Sequence, residues 1–308
     1  MRDNTSVEAA EKDCLHIARE KGTNSKEALD ARVRLAFAYS EGGKRKEALS
    51  LMDEVYERKC ELFGKESPSA VRTFCARLLL SDINDEEGFI DKLKEASKQL
   101  DLIINIDDSD VPSALHSYAQ ACEKFYDTPS IDVYERICKW TEEFKGTGSK
   151  EHIFALGELA DVYYYLELDE EAIEVGTRIY SYSKDTYGEE NEYTVMVCEN
   201  LAKLYYFCGE TDESIKLLDL VLGVYESLGA QTVKKVEAYY NSALCAWRKK
   251  DTETADQKLT KAHELCLTDG LENTLLRQNV EKLLRALQSG TGSIFLTLRW
   301  SNLFGVMS

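Results

Sequence analysis

The chain has 308 residues, 44% of them hydrophobic and 31% charged, with a formal net charge of -18. That balance excludes a disordered chain, and its acidity excludes a nucleic-acid binder, which needs clustered Lys and Arg. It also disfavours an anionic membrane surface and favours a basic or apolar partner. Only 3 Pro occur, at Pro68, Pro112 and Pro129, and so few helix breakers predict an all-α chain. Nine cysteines are scattered singly without a CxxC, mostly at apolar helical positions, which points to a reducing compartment and a cytoplasmic location. The polar segment from Met1 to Lys12 lacks the apolar core of a signal peptide. No long uncharged run offers a membrane span, so membrane insertion is not expected.

Residues 1–24 read as a lone helix, Val7 to Lys21, ending at Gly22. A first helix then carries Leu29, Val33, Ala36, Phe37 and Tyr39 at three-to-four spacing. It ends at Gly42-Gly43, and a second helix from about Arg45 places Ala48, Met52 and Val55 on one face. From about Val71 to Asn105 a weaker pair shows Ala76 and Leu80, then Phe89, Leu93 and Ala96. The next pair begins near Ser113 with Ala119 and Cys122, and Thr128-Pro129 is expected to start its second helix before Val133, Ile137 and Trp140. The acidic runs Asn84-Asp85-Glu86-Glu87 and Asp107-Asp108-Ser109-Asp110 read as helix N-terminal turns rather than calcium loops. Further on, Cys208-Gly209-Glu210-Thr211-Asp212 reads as a hairpin with Thr211 or Asp212 as N-cap. Ala243 and Trp247 are followed by Ala255, Leu259 and Ala262. Leu271 to Leu287 reads as a closing helix, and an apolar strip, Ile294 to Trp300 with Leu303-Phe304, follows Gly290-Thr291-Gly292.

One phrase recurs. Leu35-Ala36-x-x-Tyr39, Leu159-Ala160-x-x-Tyr163 and Leu201-Ala202-x-x-Tyr205 each precede a turn, and a small residue follows about 12 positions after the Ala, at Ala48, Ala172 and Ser214. The period is about 42 residues, within the range of solenoid repeats, and Leu-small-x-x-Tyr followed by Ala is the tetratricopeptide pattern. The expected fold is therefore a right-handed α-solenoid of stacked antiparallel helix pairs. Its expected parts are an N-terminal helix (1–24), an array of about six repeats (25–268) with two degenerate copies at about 71–148, a capping helix (269–288) and an apolar tail (289–308) that docks on the last helix pair, adds to a partner or lies disordered.

The stretch Glu199-Asn200-Leu201-Ala202-Lys203-Leu204-Tyr205-Tyr206-Phe207-Cys208-Gly209-Glu210 resembles the kinesin light chain class of tetratricopeptide proteins, including nephrocystin-like arrays. Leu62-Phe63-Gly64-Lys65-Glu66-Ser67-Pro68 resembles the connector of that class and retains its Pro. Tyr187-Gly188-Glu189-Glu190-Asn191 resembles it without the His and Pro. The resemblance implies a superhelix with first helices lining the inside and asparagines that clamp a bound peptide.

Counted from the Leu of each copy, the inward positions include Asp161, Tyr164 and Tyr165, then Met196, Glu199, Lys203, Tyr206 and Phe207, then Glu237, Tyr240, Trp247 and Arg248. Aromatic side chains with polar tips are good anchors for a partner, and they also fill space between helix pairs. Asn200 and Asn241 occupy equivalent positions, where an amide can donate to and accept from a peptide backbone. The peptide-binding set is therefore Tyr164, Tyr165, Asn200, Lys203, Tyr206, Phe207, Tyr240, Asn241, Trp247 and Arg248. Asp161, Glu199 and Glu237 against Lys203 and Arg248 favour a basic or apolar segment. His16, His116, His152 and His263 show no metal spacing, and no phosphate loop or nucleophile elbow occurs. Neither catalysis, nor a metal, nor a cofactor is expected. The expected function is an adaptor holding an extended peptide. The alternative is a regulatory subunit that positions an enzyme encoded elsewhere.

Overall fold

Side-chain caps decide where the helices begin. In the computed structural model, which describes residues 4–268 and 274–289, Ser25 accepts a hydrogen bond from Ala28 N (3.1 Å), Ser67 from Ala70 N (3.3 Å), Ser149 from His152 N (3.1 Å) and Asn191 from Tyr193 N (2.9 Å). Each satisfies an amide that the first turn leaves unpaired. Three residues before each cap stands a glycine with positive φ: Gly22 (91°), Gly64 (91°), Gly146 (95°) and Gly188 (89°). Its carbonyl accepts from the cap residue's N–H at 3.1–3.3 Å. The connector between helix pairs is thus Gly-x-x-Ser/Asn, with glycine where the backbone enters the left-handed region.

Among the described residues the chain forms fourteen α-helices and no strand. It divides into two units, Met1–Lys145 and Gly146–Ser308. The first contains α1 (Asn4–Lys21), α2 (Lys26–Glu41), α3 (Arg45–Phe63), α4 (Pro68–Leu80), α5 (Glu86–Ile103), α6 (Asp110–Tyr126) and α7 (Ile131–Lys145). The second contains α8 (Lys150–Tyr165), α9 (Asp169–Tyr187), α10 (Glu192–Phe207), α11 (Thr211–Ser227), α12 (Thr232–Arg248), α13 (Thr252–Thr268) and α14 (Leu275–Ser289). No helix among them is long and apolar enough to cross a membrane.

From α2 to α13 the helices form six antiparallel pairs, and neighbouring pairs stack through α3 on α4, α9 on α10 and α11 on α12. Every first helix buries an alanine at the equivalent place: Ala36, Ala76, Ala119, Ala160, Ala202 and Ala243 are all at most 4% exposed. The second helices bury side chains in a 4-3-4 spacing, as in Ala48/Met52/Val55/Lys59, Phe89/Leu93/Ala96/Leu100, Ser214/Leu218/Val221/Tyr225 and Ala255/Leu259/Ala262/Cys266. That spacing winds one narrow stripe along the helix, and the stripe faces the pair.

Lys59 stands in that stripe with no exposed surface. An isolated buried ammonium is very costly, and here the Asp30 carboxylate offsets most of that cost, with the Ser69 carbonyl accepting at 3.4 Å. Lys59 Nζ reaches Asp30 Oδ1 at 2.6 Å, and Arg72 bridges Asp30 (3.4 Å) and Asp110 (2.7 Å). Lys26 pairs with Asp110 at 2.8 Å. The network ties α2, α3, α4 and α6 together. Burial pushes the Lys59 ammonium below its usual range while Asp30 pulls it up. Burial opposes ionisation of Asp110, but the hydrogen bonds from Lys26 and Arg72 win, and its carboxyl stays below 3.8. A second polar clamp closes α4. Arg45 donates to the carbonyls of Leu80 (3.1 Å) and Ser81 (2.8 Å), and Lys124 to those of Leu79 and Ser81 (2.9 Å each). Cations suit the carbonyl end of a helix, where the macrodipole is negative.

Several boundaries differ from expectation. α6 starts at Asp110 rather than Ser113 and carries Pro112 in its first turn, where a missing N–H costs nothing. α7 starts at Ile131, not at Thr128-Pro129. Asp127 is left-handed (φ 54°), and the residue before a proline is driven away from helical geometry. Thr211 is the first residue of α11 rather than its cap; Glu210 stands at the cap without a side-chain bond, and the Thr211 hydroxyl donates to Gly209 O (3.3 Å). The closing helix is Leu275–Ser289, with 269–273 outside the described residues. The expected tail lies outside them as well, except for Ser289.

Two outcomes follow. Asp110→Asn is expected to cost roughly 1–3 kcal/mol at neutral pH by removing the buried carboxylate that accepts from half-buried Arg72 and Lys26. Because the native carboxyl is depressed, its contribution is present above pH 3.8 and lost as pH falls through the native value. Denaturant titrations at pH 7 and near pH 3 should therefore show the variant's deficit shrinking in acid. Ala202→Leu is expected to lower stability by about 1–3 kcal/mol through overpacking, measurable as a drop in Tm with the helical circular dichroism retained.

Candidate functional site

The second unit lines up its first helices α8, α10 and α12, and a run of side-chain contacts crosses all three. Tyr164 on α8 meets Phe207 on α10 edge-on, with ring centroids 6.4 Å apart. Phe207 meets Tyr206 at 5.4 Å and 86°. The Arg248 guanidinium, at the end of α12, lies over the Tyr206 ring 4.8 Å from its centroid, and its Nη1 donates to the Tyr206 carbonyl. Edge-to-face rings and a cation on a ring face are both favourable geometries. Tyr164, Phe207, Tyr206 and Arg248 are thus fixed relative to one another before any ligand arrives.

Beside this run is a shallow pocket, partly open to solvent and lined by Lys203 and Tyr206 of α10, Ser214 and Leu218 of α11, and Asn241, Leu244 and Cys245 of α12. Its buried floor is apolar apart from the Ser214 hydroxyl, and its rim is polar. Ser214 replaces the alanine of the helix contact, donating its hydroxyl to Ala202 O at 2.6 Å and lying 3.3 Å from Cys245 Sγ. Lys203 Nζ reaches Asn200 Oδ1 at 3.5 Å, so the two residues hold each other at the rim.

The candidates fall into three groups. Tyr164, Asn200, Lys203, Tyr206, Phe207, Asn241 and Arg248 gather around the ring contacts and the pocket. Tyr165, also on α8, is 66% exposed. Tyr240 is 7% exposed and packs with Val236, Ala243, Leu244 and Leu259, and the half-buried Trp247 lies on the same cluster. Burial pushes the Tyr240 hydroxyl up to about 12, with a smaller contribution from Tyr206. Sequence reasoning did not single out Ser214, Leu218, Leu244 and Cys245 as site residues. The available signal was Ser214, a hydroxyl where the other regular pairs carry alanine.

Burial also sets the electrostatics. The Tyr206 and Tyr164 hydroxyls are pushed up by desolvation, with Arg248 partly opposing it at Tyr206. Glu199, one turn before Lys203, has its carboxyl raised by burial and by Glu237, against the pull of Lys203 and a hydrogen bond from the Tyr225 hydroxyl. Among the described residues no group of three or more His, Cys, Asp and Glu is placed to hold a metal ion.

Residues 28–69 match the family model of the tetratricopeptide repeat. The match covers the α2–α3 pair and enters α4, so the first complete pair reads as one tetratricopeptide repeat. No curated protein matches the sequence. Similar solved structures include the kinesin light chain nearly identical TPR-like repeats of Podosopora anserina, at 15% identity over 78% of this chain and 95% of that one, TM-score 0.46. BtubC (BKLC) of P. vanneervenii is similar at 14% identity over 97% of both chains, TM-score 0.48. The C-terminal part of a TPR repeat-containing protein of Cytophaga hutchinsonii is similar at 15% over 90% and 95%, TM-score 0.49.

A raised carboxylate disfavours the ionised folded state. Glu199→Gln is therefore expected to raise Tm at pH 7, with the gain fading below about pH 4, where the unfolded-state carboxyl is also protonated. A pH series of thermal melts checks it, and an equal shift at every pH would contradict the burial of this carboxyl.

Proposed function

We propose that this protein is a non-enzymatic adaptor whose second unit holds an extended peptide segment of another protein along α8, α10 and α12. A tetratricopeptide repeat is a protein-interaction module, and the finer reading rests on one observation: the fixed run Tyr164–Phe207–Tyr206–Arg248 beside an apolar-floored, polar-rimmed pocket. A rigid aromatic wall presents large area at little entropy loss, which is what anchors a short segment. Asn200 and Asn241 supply amides able to pair with a peptide backbone whatever its side chains. The partner segment is basic or apolar: the chain carries a net charge of -18, and the wall's own cations are engaged, Arg248 on Tyr206 and Lys203 on Asn200. Nine free cysteines, six of them buried, fit a reducing, cytoplasmic setting.

Tyr206 also packs on the cluster of Ala202, Leu218 and Cys245, so its truncation would disturb folding as well as binding. Lys203→Ala with Asn241→Ala isolates the rim. Peptides selected by panning a random dodecapeptide library on the full chain are expected to be basic or apolar. They should lose at least about tenfold in affinity to the double variant, the equivalent of 1.4 kcal/mol, while Tm moves by no more than about 2 °C. Retention of full affinity would remove the groove assignment, and selection of acidic peptides would remove the partner class.

A further inference from the structure

The cleft between α10 and α12 is tied at both ends and negatively charged between the ties. At one end Lys234 of α12 pairs with Glu192 of α10. At the other, Arg248 Nη1 donates to the Tyr206 carbonyl. Between them stand Glu199 on α10 and Glu237 on α12, each one turn before a rim residue of the pocket, Lys203 and Asn241 respectively. Residues four apart share a helix face, so the two carboxylates continue the pocket lining toward the start of both helices.

The surroundings leave these carboxylates uncompensated. The cations that act on Glu199 are already engaged, Lys203 with Asn200 Oδ1 at 3.5 Å and Lys234 with Glu192. Among the described residues neither Glu199 nor Glu237 forms an ion pair. Glu199 is half-buried and accepts a hydrogen bond from the Tyr225 hydroxyl. The Tyr225 side chain is itself 5% exposed and packs with Val195, Cys198 and Ala238, so the carboxylate is held from within the core. An ionised carboxylate accepts about four hydrogen bonds, and one held by a single hydroxyl keeps capacity for a further donor. Burial and Glu237 both raise the Glu199 carboxyl, so its charge weakens the free fold near neutral pH. A charge that costs stability is characteristic of positions that serve a ligand.

We infer that Glu199, with Glu237 across the cleft, receives one lysine or arginine side chain of the bound segment. The inference rests on the proposed function and narrows its partner class to a segment with a cation at a fixed place. Glu199 and Tyr206 are seven residues apart on α10, about 10 Å at helical rise. An extended segment covers that distance in about three residues, which sets the spacing between the cation and the residue seated on the aromatic wall. The wall anchors and Glu199 discriminates: a cation meets a carboxylate already partly desolvated, whereas an acidic side chain meets two like charges.

Panning a random dodecapeptide library in parallel on the full wild-type chain and on its Glu199→Gln, Glu237→Gln variant tests this. Wild-type selections are expected to share a Lys or Arg about three positions from an apolar residue. Selections on the variant should keep the apolar residue and lose the cation. For one synthesised wild-type peptide, replacing the cation by Met is expected to cost at least about tenfold in affinity for the wild-type chain and less than about twofold for the variant. The peptide substitution leaves the protein untouched, so a folding defect cannot imitate the result. Peptides that bind without a shared cation would overturn the inference and leave the groove standing. So would a cation whose removal costs as much on the variant as on the wild type. No enrichment on either chain would overturn both this inference and the proposed function.

Discussion

The close approach of two helices at one small residue is the constraint on which the rest hangs. A helix pair reaches an interaxial distance near the short end of the ~8–10 Å range only where a side chain of one or two heavy atoms lies at the crossing. Each first helix supplies that residue as a buried alanine, and in the regular pairs a second small residue answers it 12 positions later, at Ala48, Ala172, Ser214 and Ala255. With the crossing point fixed, the remaining core positions follow from helix geometry. The 4-3-4 stripe of the second helix must lie along the first, and the opposite flank is left for the next pair. A period near 42 emerges because two helices of 16 to 19 residues, a three-residue hairpin and a four-residue connector fill it.

Where the pattern lapses, polar chemistry takes over the alignment. The pairs α4–α5 and α6–α7 have longer hairpins, and the position expected to hold the connector glycine before α6 is Ile106. Ser109 keeps its place but makes no cap bond, and Asp108 accepts from Asp110 N instead (2.8 Å). In this same region lie the Lys59–Asp30–Arg72–Asp110 network and the Arg45–Lys124 clamp on the end of α4. Buried ion networks are weak sources of stability but strong sources of register, since a slipped pairing would strand a charge. Lys59 illustrates the exchange. It occupies a stripe position taken by Ser183, Tyr225 and Cys266 in the regular pairs, and it is tolerated only because Asp30 lies 2.6 Å away.

Much of this was legible in the residues, for a physical reason: helix pairing is written in local spacing. Leu-Ala-x-x-Tyr and the answering small residue specify a crossing whose partners are twelve positions apart, and the fold class followed. The connectors at 62–68 and 187–191 were legible through the family resemblance, whereas the same Gly-x-x-Ser phrase at 22–25 and 146–149 is too short to mark a helix start without its neighbours. What local spacing does not carry is the angular position of a side chain at the seam between pairs. Tyr240 and Tyr206 both read as inward aromatics, yet Tyr240 lies in the α12–α13–α14 core while Tyr206 borders the pocket. A rotation of a few tens of degrees about the helix separates the two fates. The charge network was illegible for another reason: its members are 29 to 42 residues apart, and each alone reads as a solvated charge.

The same crossing that builds the pair also builds the site. Ser214 is small enough to keep α10 and α11 close, but its hydroxyl must be satisfied in a buried setting. Bonding to Ala202 O and lying against Cys245, it places a polar atom at the base of an otherwise apolar pocket. An alanine there would leave the floor wholly apolar, and a larger residue would wedge the helices apart and break the contact run from Tyr164 to Arg248. Packing and the proposed recognition therefore draw on one set of atoms in this unit. The aromatic wall is rigid because its rings are braced by neighbours that also hold the helices, and a wall braced in this way holds its shape with no ligand present. If this wall binds a peptide as proposed, specificity falls to the rim, where Lys203, Asn200 and Asn241 can change without disturbing the crossing beneath them.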